Sequence, residues 1–498
     1  MLRIADTRNL NGVLKRFGNS LNHSRKDRIC AIIIDYGILG LLIFTPLPAA
    51  SVHEWSVLVI QLVVLVLMAA YILIQEKPQI NEFISPACKW LKYLFFCFFV
   101  FVFIQFLPLP KLLVRFFSPS SYNYQKMYAV DFSNIKFLSL SVIPSYTLQR
   151  ILELLAYFLL GFLVVKTVTK RYQIMRIYSV VIAMGIFQAL YGMFELYNKS
   201  PNILFYKKIY NLESVTGTFV NRNHLSGYLE MVIPLAIGLV IARIDLFALK
   251  SLTWRERLLR LSEKGLSRNL LVSFGVVLMA IAIIFSQSRS GVFILIFTFI
   301  LFFGLTAIYF EIYNFHIKWI KKFLSISFFV IIFISLYIGI DATLERFSLD
   351  RLLHEGRPTY WANTLRTFSN FPFFGTGLGT FGALYPPIDG GAGPMSVVHA
   401  HNDYLEYLAE LGVIGFSLLL GGILFMIVRS FSVWRTRRHP EVKGLTLGGI
   451  ISLICILIHS LTDFNLHIPA NMVLFSVVLS LTMVLAYYRR GAAPQEKR

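Results

Sequence analysis

The stretch VVHAHNDYLEYLAELGVIG, residues 397–415, marks the point at which a polar segment gives way to an apolar one. Two histidines, His399 and His401, precede Asn402 or Asp403, either of which can cap a following helix. Leucines then recur at helical spacing: Leu405, Leu408 and Leu411. The pattern predicts a helix that starts at the water boundary and carries its apolar face into a membrane.

The composition of the chain is typical of a membrane protein. Hydrophobic residues make up 56% and charged residues 15%, and the mean hydropathy is +0.67, whereas about a quarter of a soluble chain is charged. The first apolar run, 29–47, is too long for a signal peptide and lacks a cleavage site. The cysteines form no CxxC pair, so neither a disulfide framework nor a zinc site is expected.

The number of apolar runs predicts the fold class. A bilayer core about 30 Å thick requires roughly 20 apolar residues per helix. By this measure the chain is an all-α, polytopic membrane helix bundle of about 12 transmembrane helices. The predicted spans are 29–47, 55–75, 91–109, 149–166, 176–197, 224–243, 270–287, 291–310, 322–340, 404–428, 445–460 and 468–488. Spans seven and eight are separated only by SQSRSG, which predicts a tight helical hairpin.

The distribution of basic residues predicts the topology. Most of the 47 Lys and Arg residues fall on one face when both termini are cytoplasmic, as the positive-inside rule expects. The net charge of +21 is therefore a topology signal, and nucleic acid is excluded as a partner. The predicted division is a cytoplasmic arm (1–28), spans one to nine (29–340), a large outer loop (341–403), spans ten to twelve (404–488) and a cytoplasmic tail (489–498).

The large outer loop has internal structure. Apolar residues at helical spacing, interrupted at Gly356 and Pro358, predict two amphipathic helices at the membrane face. The following segment FFGTGLGTFGALYPPIDGGAGPM, residues 373–395, is rich in Gly and Pro, so we expect a compact, turn-filled loop without a helix. Two other outer loops, 110–148 and 198–223, are also long.

Histidines at the loop-to-helix junction are candidate catalytic residues. A histidine on the water side titrates near neutrality and can accept a proton from a sugar hydroxyl. Either His399 or His401 can serve, and the alternative role is a hydrogen bond at the helix start. Asp403 is a supporting residue beside them.

Three arginines are candidate anion ligands. Arg289, in SQSRSG, and Arg222, in GTFVNRNHLSGYLE, each lie at the outer end of a span, where an unpartnered guanidinium is costly. Together they can bind a diphosphate, although Arg289 can also act as a staple between helices. Arg357 is a third candidate, with Glu355 or a carbonyl as its alternative partner.

Further polar residues surround these candidates in the sequence. Those next to Arg222 are Asn221, Asn223 and His224. His459 and Asp463 lie with His467 in HSLTDFNLHIPAN, in the outer turn before the last span, where the alternative is a hydrogen-bonded plug. Acids within or beside spans are candidate arginine partners or proton carriers: Asp35, Glu153, Glu195 and Glu230.

These motifs, in this order, resemble the bacterial O-antigen ligase and O-antigen polymerase superfamily. The resemblance covers residues 215–488 and is most specific from Ser286 to Gly415, and the His-x10-Gly spacing of the ligases falls on His401 and Gly412. It implies an inner-membrane enzyme whose active site faces the periplasm. That enzyme moves a glycan from undecaprenyl diphosphate to a lipid A–core or a lipid-linked glycan acceptor.

The resemblance also implies a mechanism. The displacement is inverting and metal-independent and uses no cofactor; Arg222 and Arg289 hold the diphosphate and His401 activates the acceptor. Polysaccharide assembly proteins are candidate partners, together with membrane lipids. Two other functions stay open: a transporter or lipid flippase, against which the missing internal repeat counts, and a non-catalytic subunit of a polysaccharide assembly complex.

Overall fold

A computed structural model describes residues 7–75, 85–200, 202–204, 206–208, 211–243, 264–311, 325–326, 328–330, 333, 356–389 and 397–488. This part of the chain is built mainly from helices, which confirms the all-α prediction. In chain order they are α1 (Thr7–Phe44), α2 (Glu54–Leu73), α3 (Ser85–Phe106), α4 (Lys111–Phe117), α5 (Pro119–Tyr128), α6 (Pro144–Thr167), α7 (Arg171–Asn198), α8 (Arg222–Arg243), α9 (Lys264–Phe285), α10 (Arg289–Glu311), α11 (Arg357–Asn370), α12 (Phe381–Asp389), α13 (Asp403–Thr436), α14 (Pro440–His459) and α15 (Pro469–Tyr487).

Within these described ranges, nine helices are long and apolar enough to cross a membrane: α2, α6 to α10 and α13 to α15. The predicted spans one and three correspond to α1 and to the apolar part of α3, residues Trp90–Phe106. Span nine, 322–340, falls largely outside the described residues. The chain is therefore a multi-pass membrane protein.

The centre of the bundle is formed by α8, α14 and α15, whose side chains are almost all buried inside the protein. Small residues let α8 and α14 approach closely, as is common between membrane helices. A Cβ atom at Gly238 would lie 2.6 Å from the carbonyl oxygen of Gly444 and 2.9 Å from the Cα of Gly448. The peripheral helices instead expose apolar side chains such as Leu62 and Phe96, as lipid-facing helices do.

One end of the bundle gathers the long connections. Helices α8, α10, α13 and α15 begin there, and α9 and α14 finish there. Backbone hydrogen bonds tie these connections to the helix ends, from Val215 N to Phe285 O (3.0 Å) and from Asp403 N to Ser460 O (2.9 Å). We call this region the polar end. The turn between Phe285 and Arg289 is the predicted tight hairpin.

Short strands complete the polar end. β1 (Leu109–Pro110) pairs antiparallel with β2 (Phe137–Leu138), and β3 (Asn202–Ile203) with β4 (Tyr206–Lys207). Between the first pair lie α4 and α5. The second predicted amphipathic helix of the large loop is α11, whereas the first falls among residues that the structure does not describe.

One expectation for the large loop is wrong. Residues 381–389 form helix α12, although Gly and Pro predicted a turn-filled loop. Phe381 and Tyr385 are buried against Ala400, and Leu384 is buried against Val142. Tertiary packing at the spacing i, i+3, i+4 therefore outweighs the low helix propensity of the segment.

Helix α13 opens at Gly412, which has φ +62° and ψ −179°. The opening frees the carbonyls of Ala409 and Glu410, which accept hydrogen bonds from the backbone N–H groups of Thr376 and Gly377, both at 3.0 Å. A Cβ at Gly412 would lie 2.3 Å from Phe373 O, a contact that cannot be accommodated without a shift of the backbone. Glycine at 412 therefore fixes the Gly-rich loop against the helix that follows His401.

We predict that Gly412→Ala lowers the free energy of unfolding by on the order of 3 kcal/mol, because it combines a backbone clash with a left-handed φ. Fluorescence-detected thermal unfolding in detergent measures the effect. Gly421→Ala, on the same helix, is the matched control because a Cβ there meets nothing within 4 Å. Equal melting temperatures for the two variants would contradict this account.

Candidate functional site

The site is built around the carboxylate of Asp463, which lies between α14 and α15 and is fully buried. Its Oδ2 accepts a hydrogen bond from Asn223 Nδ2 at 2.6 Å, and its Oδ1 accepts one from the backbone N–H of Phe464 at 2.9 Å. Arg357 Nη2 lies 3.6 Å from Oδ2 and His224 Nε2 3.7 Å from Oδ1. Residues from three separate segments thus meet at one negative charge.

His401 is the most accessible partner of this carboxylate. Its Nδ1 lies 3.1 Å from Asp463 Oδ1, and its side chain keeps 28% of its surface exposed. A carboxylate at Nδ1 favours the tautomer with the proton on Nδ1, which leaves the Nε2 lone pair as the basic position. The arrangement matches that of an oriented general base.

The backbone at His401 is unusual, with φ +49°. The conformation is held by its surroundings: Trp361 Nε1 donates a hydrogen bond to His401 O at 3.3 Å, and Asn402 caps α13 by accepting from Leu405 N. Of the two predicted caps, Asn402 is therefore the one used. A left-handed non-glycine residue costs free energy and persists where packing determines it, often at functional sites.

The electrostatics of the Asp463 carboxylate favour its charged form. Burial by itself raises the pKa of Asp463, but the imidazoles of His224 and His401 outweigh burial and lower it well below its usual value. The carboxylate therefore stays negative at any physiological pH. It can stabilise an imidazolium that forms when His401 accepts a proton.

Arg222 and Arg289 are each the first residue of a helix, α8 and α10. Arg222 Nη1 donates to Gln287 Oε1 at 3.4 Å, in the turn that leads into Arg289. Ser226 and Ser286 share a hydrogen bond of 2.8 Å, which joins the two helix ends. Helix N-termini carry unpaired N–H groups and a partial positive charge, so guanidiniums placed there form an anion-attracting region.

The same region is joined to the Asp463 segment. Ser290 Oγ and Thr462 Oγ1 are 2.8 Å apart, which connects the start of α10 to the residue before Asp463. Arg222 and Arg289 therefore lie at the same end of the bundle as His401 and Asp463. Arg357 pairs with Asp463, whereas the sequence favoured Glu355 or a carbonyl as its partner, and Glu355 lies outside the described residues.

A second cluster lies on the other side of Phe464. His399 Nδ1 is 2.8 Å from Glu406 Oε1, and His467 Nε2 is 3.3 Å from the same oxygen. The ring of Phe464 stacks on His399 at 4.1 Å and meets His401 edge-on at 4.8 Å. The two candidate catalytic histidines thus have separate carboxylate partners.

The supporting residues divide between these clusters and the interior. Asn221 accepts a hydrogen bond from Asn223 N at the start of α8, and Asp403 accepts one from His467 Nδ1. His459 lies inside the bundle, where its Nδ1 is 3.0 Å from Glu230 Oε2. It therefore supports the interior under Asp463 and does not line the outer turn.

Sequence reasoning missed Glu406 as a partner of His399. It is buried on α13, one helical turn after Asp403, so acids at i and i+3 face the same side as the preceding histidines. That spacing of the two acids is the sequence signal that could have indicated Glu406 as a partner. No local signal indicated that Asp463, separated by 62 residues from His401, would bind it.

Fold and site together define a polytopic membrane protein with a polar cluster of histidine, arginine and carboxylate at one end. Residues 274–420 match the family model described as O-antigen ligase, which confirms the predicted resemblance to the O-antigen ligase and polymerase superfamily. No curated protein gives a significant match. The matched range contains Arg289, Arg357 and both candidate catalytic histidines. The match supports an O-antigen ligase-like function in general, and the matched family implies lipid-linked glycans as the class of substrate.

We predict that Asp463→Asn destabilises the protein by on the order of 3 kcal/mol, because it removes the charge shared by buried partners. Since the pKa of Asp463 is lowered on folding, its contribution is present above the unfolded pKa of about 3.9 and is lost only as pH falls below it. The loss in thermal stability should therefore be at least as large at pH 5 as at pH 8. The fully exposed Asp131→Asn is the control; a loss confined to high pH would refute the assignment.

Proposed function

We propose that this protein is a periplasm-facing glycosyltransferase of the inner membrane that moves a glycan from undecaprenyl diphosphate to a hydroxyl acceptor. The observation that carries the proposal is the contact of His401 Nδ1 with the buried Asp463 carboxylate, at the end of the bundle where Arg222 and Arg289 begin their helices. A base and an anion-attracting region at one membrane face are what this transfer requires.

In the proposed reaction, His401 Nε2 accepts the proton of the acceptor hydroxyl while its oxygen attacks the anomeric carbon. The bond from that carbon to the phosphate oxygen breaks, and the electron pair leaves with undecaprenyl diphosphate. Attack opposite the leaving group inverts the anomeric configuration. Asp463 stabilises the imidazolium that results.

The diphosphate gains negative charge as it leaves. Arg222 and Arg289, with the N–H groups at the starts of α8 and α10, provide positive charge in a fixed arrangement, so no added cation has to bind the phosphates. Arg357 is proposed to serve the same region, but its contact with Asp463 indicates that it also holds the base's partner in place.

The acceptor is a lipid A–core for a ligase and a second lipid-linked glycan for a polymerase. The short helices at the polar end have different surroundings. Helices α4 and α5 expose apolar side chains, whereas α11 lies beside His401. A strain lacking the gene separates the two activities, because long lipid-linked polymer accumulates without a ligase and single repeat units accumulate without a polymerase.

Purified protein with a lipid-diphosphate glycan and its acceptor is expected to release undecaprenyl diphosphate without added Mg²⁺ or Mn²⁺. His401→Asn, which tolerates the left-handed backbone, should lower kcat by about 10²–10⁴-fold, because the proton acceptor is lost. Donor affinity should be retained, as measured by equilibrium binding. Full turnover in His401→Asn, or an absolute requirement for added Mg²⁺ or Mn²⁺, would refute the mechanism.

Arg289→Lys is expected to lower kcat/KM by about 10²-fold, because an ammonium group cannot reproduce the planar fork of a guanidinium at a diphosphate. Steady-state transfer kinetics measure the loss. Arg366→Lys, an exposed position on α11, is the matched control and should keep its activity. Near-normal turnover in Arg289→Lys would place the diphosphate elsewhere.

A further inference from the structure

The cluster behind Phe464 contains a set of metal-ligand side chains that the proposed transfer does not use. His399, Glu406 and His467 each offer one ligand atom, and these atoms lie within 4.8 Å of one another. Two of the separations are 2.8 and 3.3 Å. With bonds of about 2.0–2.1 Å, the ligand atoms of a tetrahedral zinc ion are about 3.3 Å apart, so the longer of these two separations already fits and the shorter has to lengthen by about 0.5 Å.

Neighbouring groups orient these ligands. Asp403 Oδ1 accepts a hydrogen bond from His467 Nδ1 at 2.6 Å, which leaves His467 Nε2 as the ligand atom. Glu406 Oε2 accepts a hydrogen bond from Ala400 N at 2.8 Å, which leaves Oε1 directed at both histidines. Carboxylate–histidine–metal arrangements of this kind are typical of protein zinc sites.

The charge of the cluster requires compensation. Asp403 and Glu406 are both buried carboxylates, and the imidazoles of His399 and His467 lie directly against them. A divalent cation bound by Glu406 and these imidazoles would compensate that negative charge directly.

Hydrogen-bond geometry favours the ion. His467 is only 3% exposed, and its Nε2 makes no hydrogen bond although Glu406 Oε1 is 3.3 Å away. A proton on Nε2 would therefore not point at the carboxylate oxygen. The Nε2 lone pair is therefore available to an ion that Glu406 Oε1, 3.3 Å away, can also reach.

We propose that His399, Glu406 and His467 bind one divalent transition-metal ion of the zinc type, with Asp403 as the residue that orients His467. The expectation of no zinc site rested on cysteine spacing, and these ligands come from two histidines and a glutamate in segments far apart in sequence. Three protein ligands leave one position of a tetrahedral ion for water.

The ion would act on the candidate base through the backbone. His399 lies two residues before His401, and His467 lies four residues after Asp463. Each member of the His401–Asp463 pair is therefore close along the chain to a proposed metal ligand. The metal site would therefore position that pair without touching the diphosphate. This consequence rests on the proposed function, whereas ion binding itself does not.

Metal content of the full-length protein tests the site. Protein purified in detergent is equilibrated with Zn²⁺ and freed of excess ion by gel filtration. The zinc content per chain is then measured by elemental mass spectrometry. We expect about one zinc per chain, as three converging ligands predict. His467→Asn and Glu406→Gln should retain almost none, and Asp403→Asn should bind about 10–100-fold more weakly.

His439→Asn, an exposed histidine at the opposite end of the bundle, is the matched control and should keep its zinc. If the ligand variants do not fold, the visible spectrum of the Co²⁺-loaded wild-type protein decides, since a tetrahedral site gives intense bands. No retained zinc in the wild type, or equal zinc in wild type and folded ligand variants, overturns the proposal. The variant His401→Asn tests the two proposals separately. It should retain zinc, because His401 is not a ligand, and it should lack transfer, because the base is lost.

Discussion

A buried carboxylate is the constraint on which the polar end depends. Asp463 has no exposed surface, and a buried ion without compensation costs several kcal/mol. Its compensation comes from His401 before α13, Asn223 at the start of α8 and Arg357 at the start of α11. Each of these segments must reach the same point, so one charge determines how loops from distant parts of the sequence are placed.

The backbone arrangement that satisfies this constraint depends on exceptions to regular geometry. His401 adopts a left-handed conformation directly before the Asn402 cap, so the chain turns sharply into α13. Eleven residues after His401, Gly412 opens the helix, and the freed carbonyls bind the loop around Gly375, whose φ is +69°. The two ends of this stretch are thus fixed by different contacts, and the segment between them carries Glu406.

These features divide into what a sequence can and cannot reveal. The spans can be predicted from hydropathy, because a chain segment that crosses lipid has to form its backbone hydrogen bonds internally, as a helix does. The Asn402 cap can be predicted from the local sequence, because Asn is a preferred N-cap residue. Helix α12 did not follow, since the burial of Phe381 and Tyr385 depends on contacts with Ala400 and Tyr360 from other segments. The pairing of Arg357 with Asp463 was likewise missed, because it joins segments separated by more than a hundred residues.

His401 and His467 interact with different carboxylates, Asp463 and Glu406, and their different exposure suits them to different roles. His401 keeps 28% of its side chain exposed beside Asp463, as its proposed role requires, whereas His467 is 3% exposed and faces Glu406 inside the protein. A group that exchanges protons with a substrate needs access, and a ligand that holds an ion needs enclosure. Phe464 separates the two environments, with His399 stacked on its face and His401 at its edge. An apolar ring between two charged clusters offers neither imidazole a competing hydrogen-bond partner, so each carboxylate interacts with its own imidazole and the contacts of the ring fix the two histidines relative to each other.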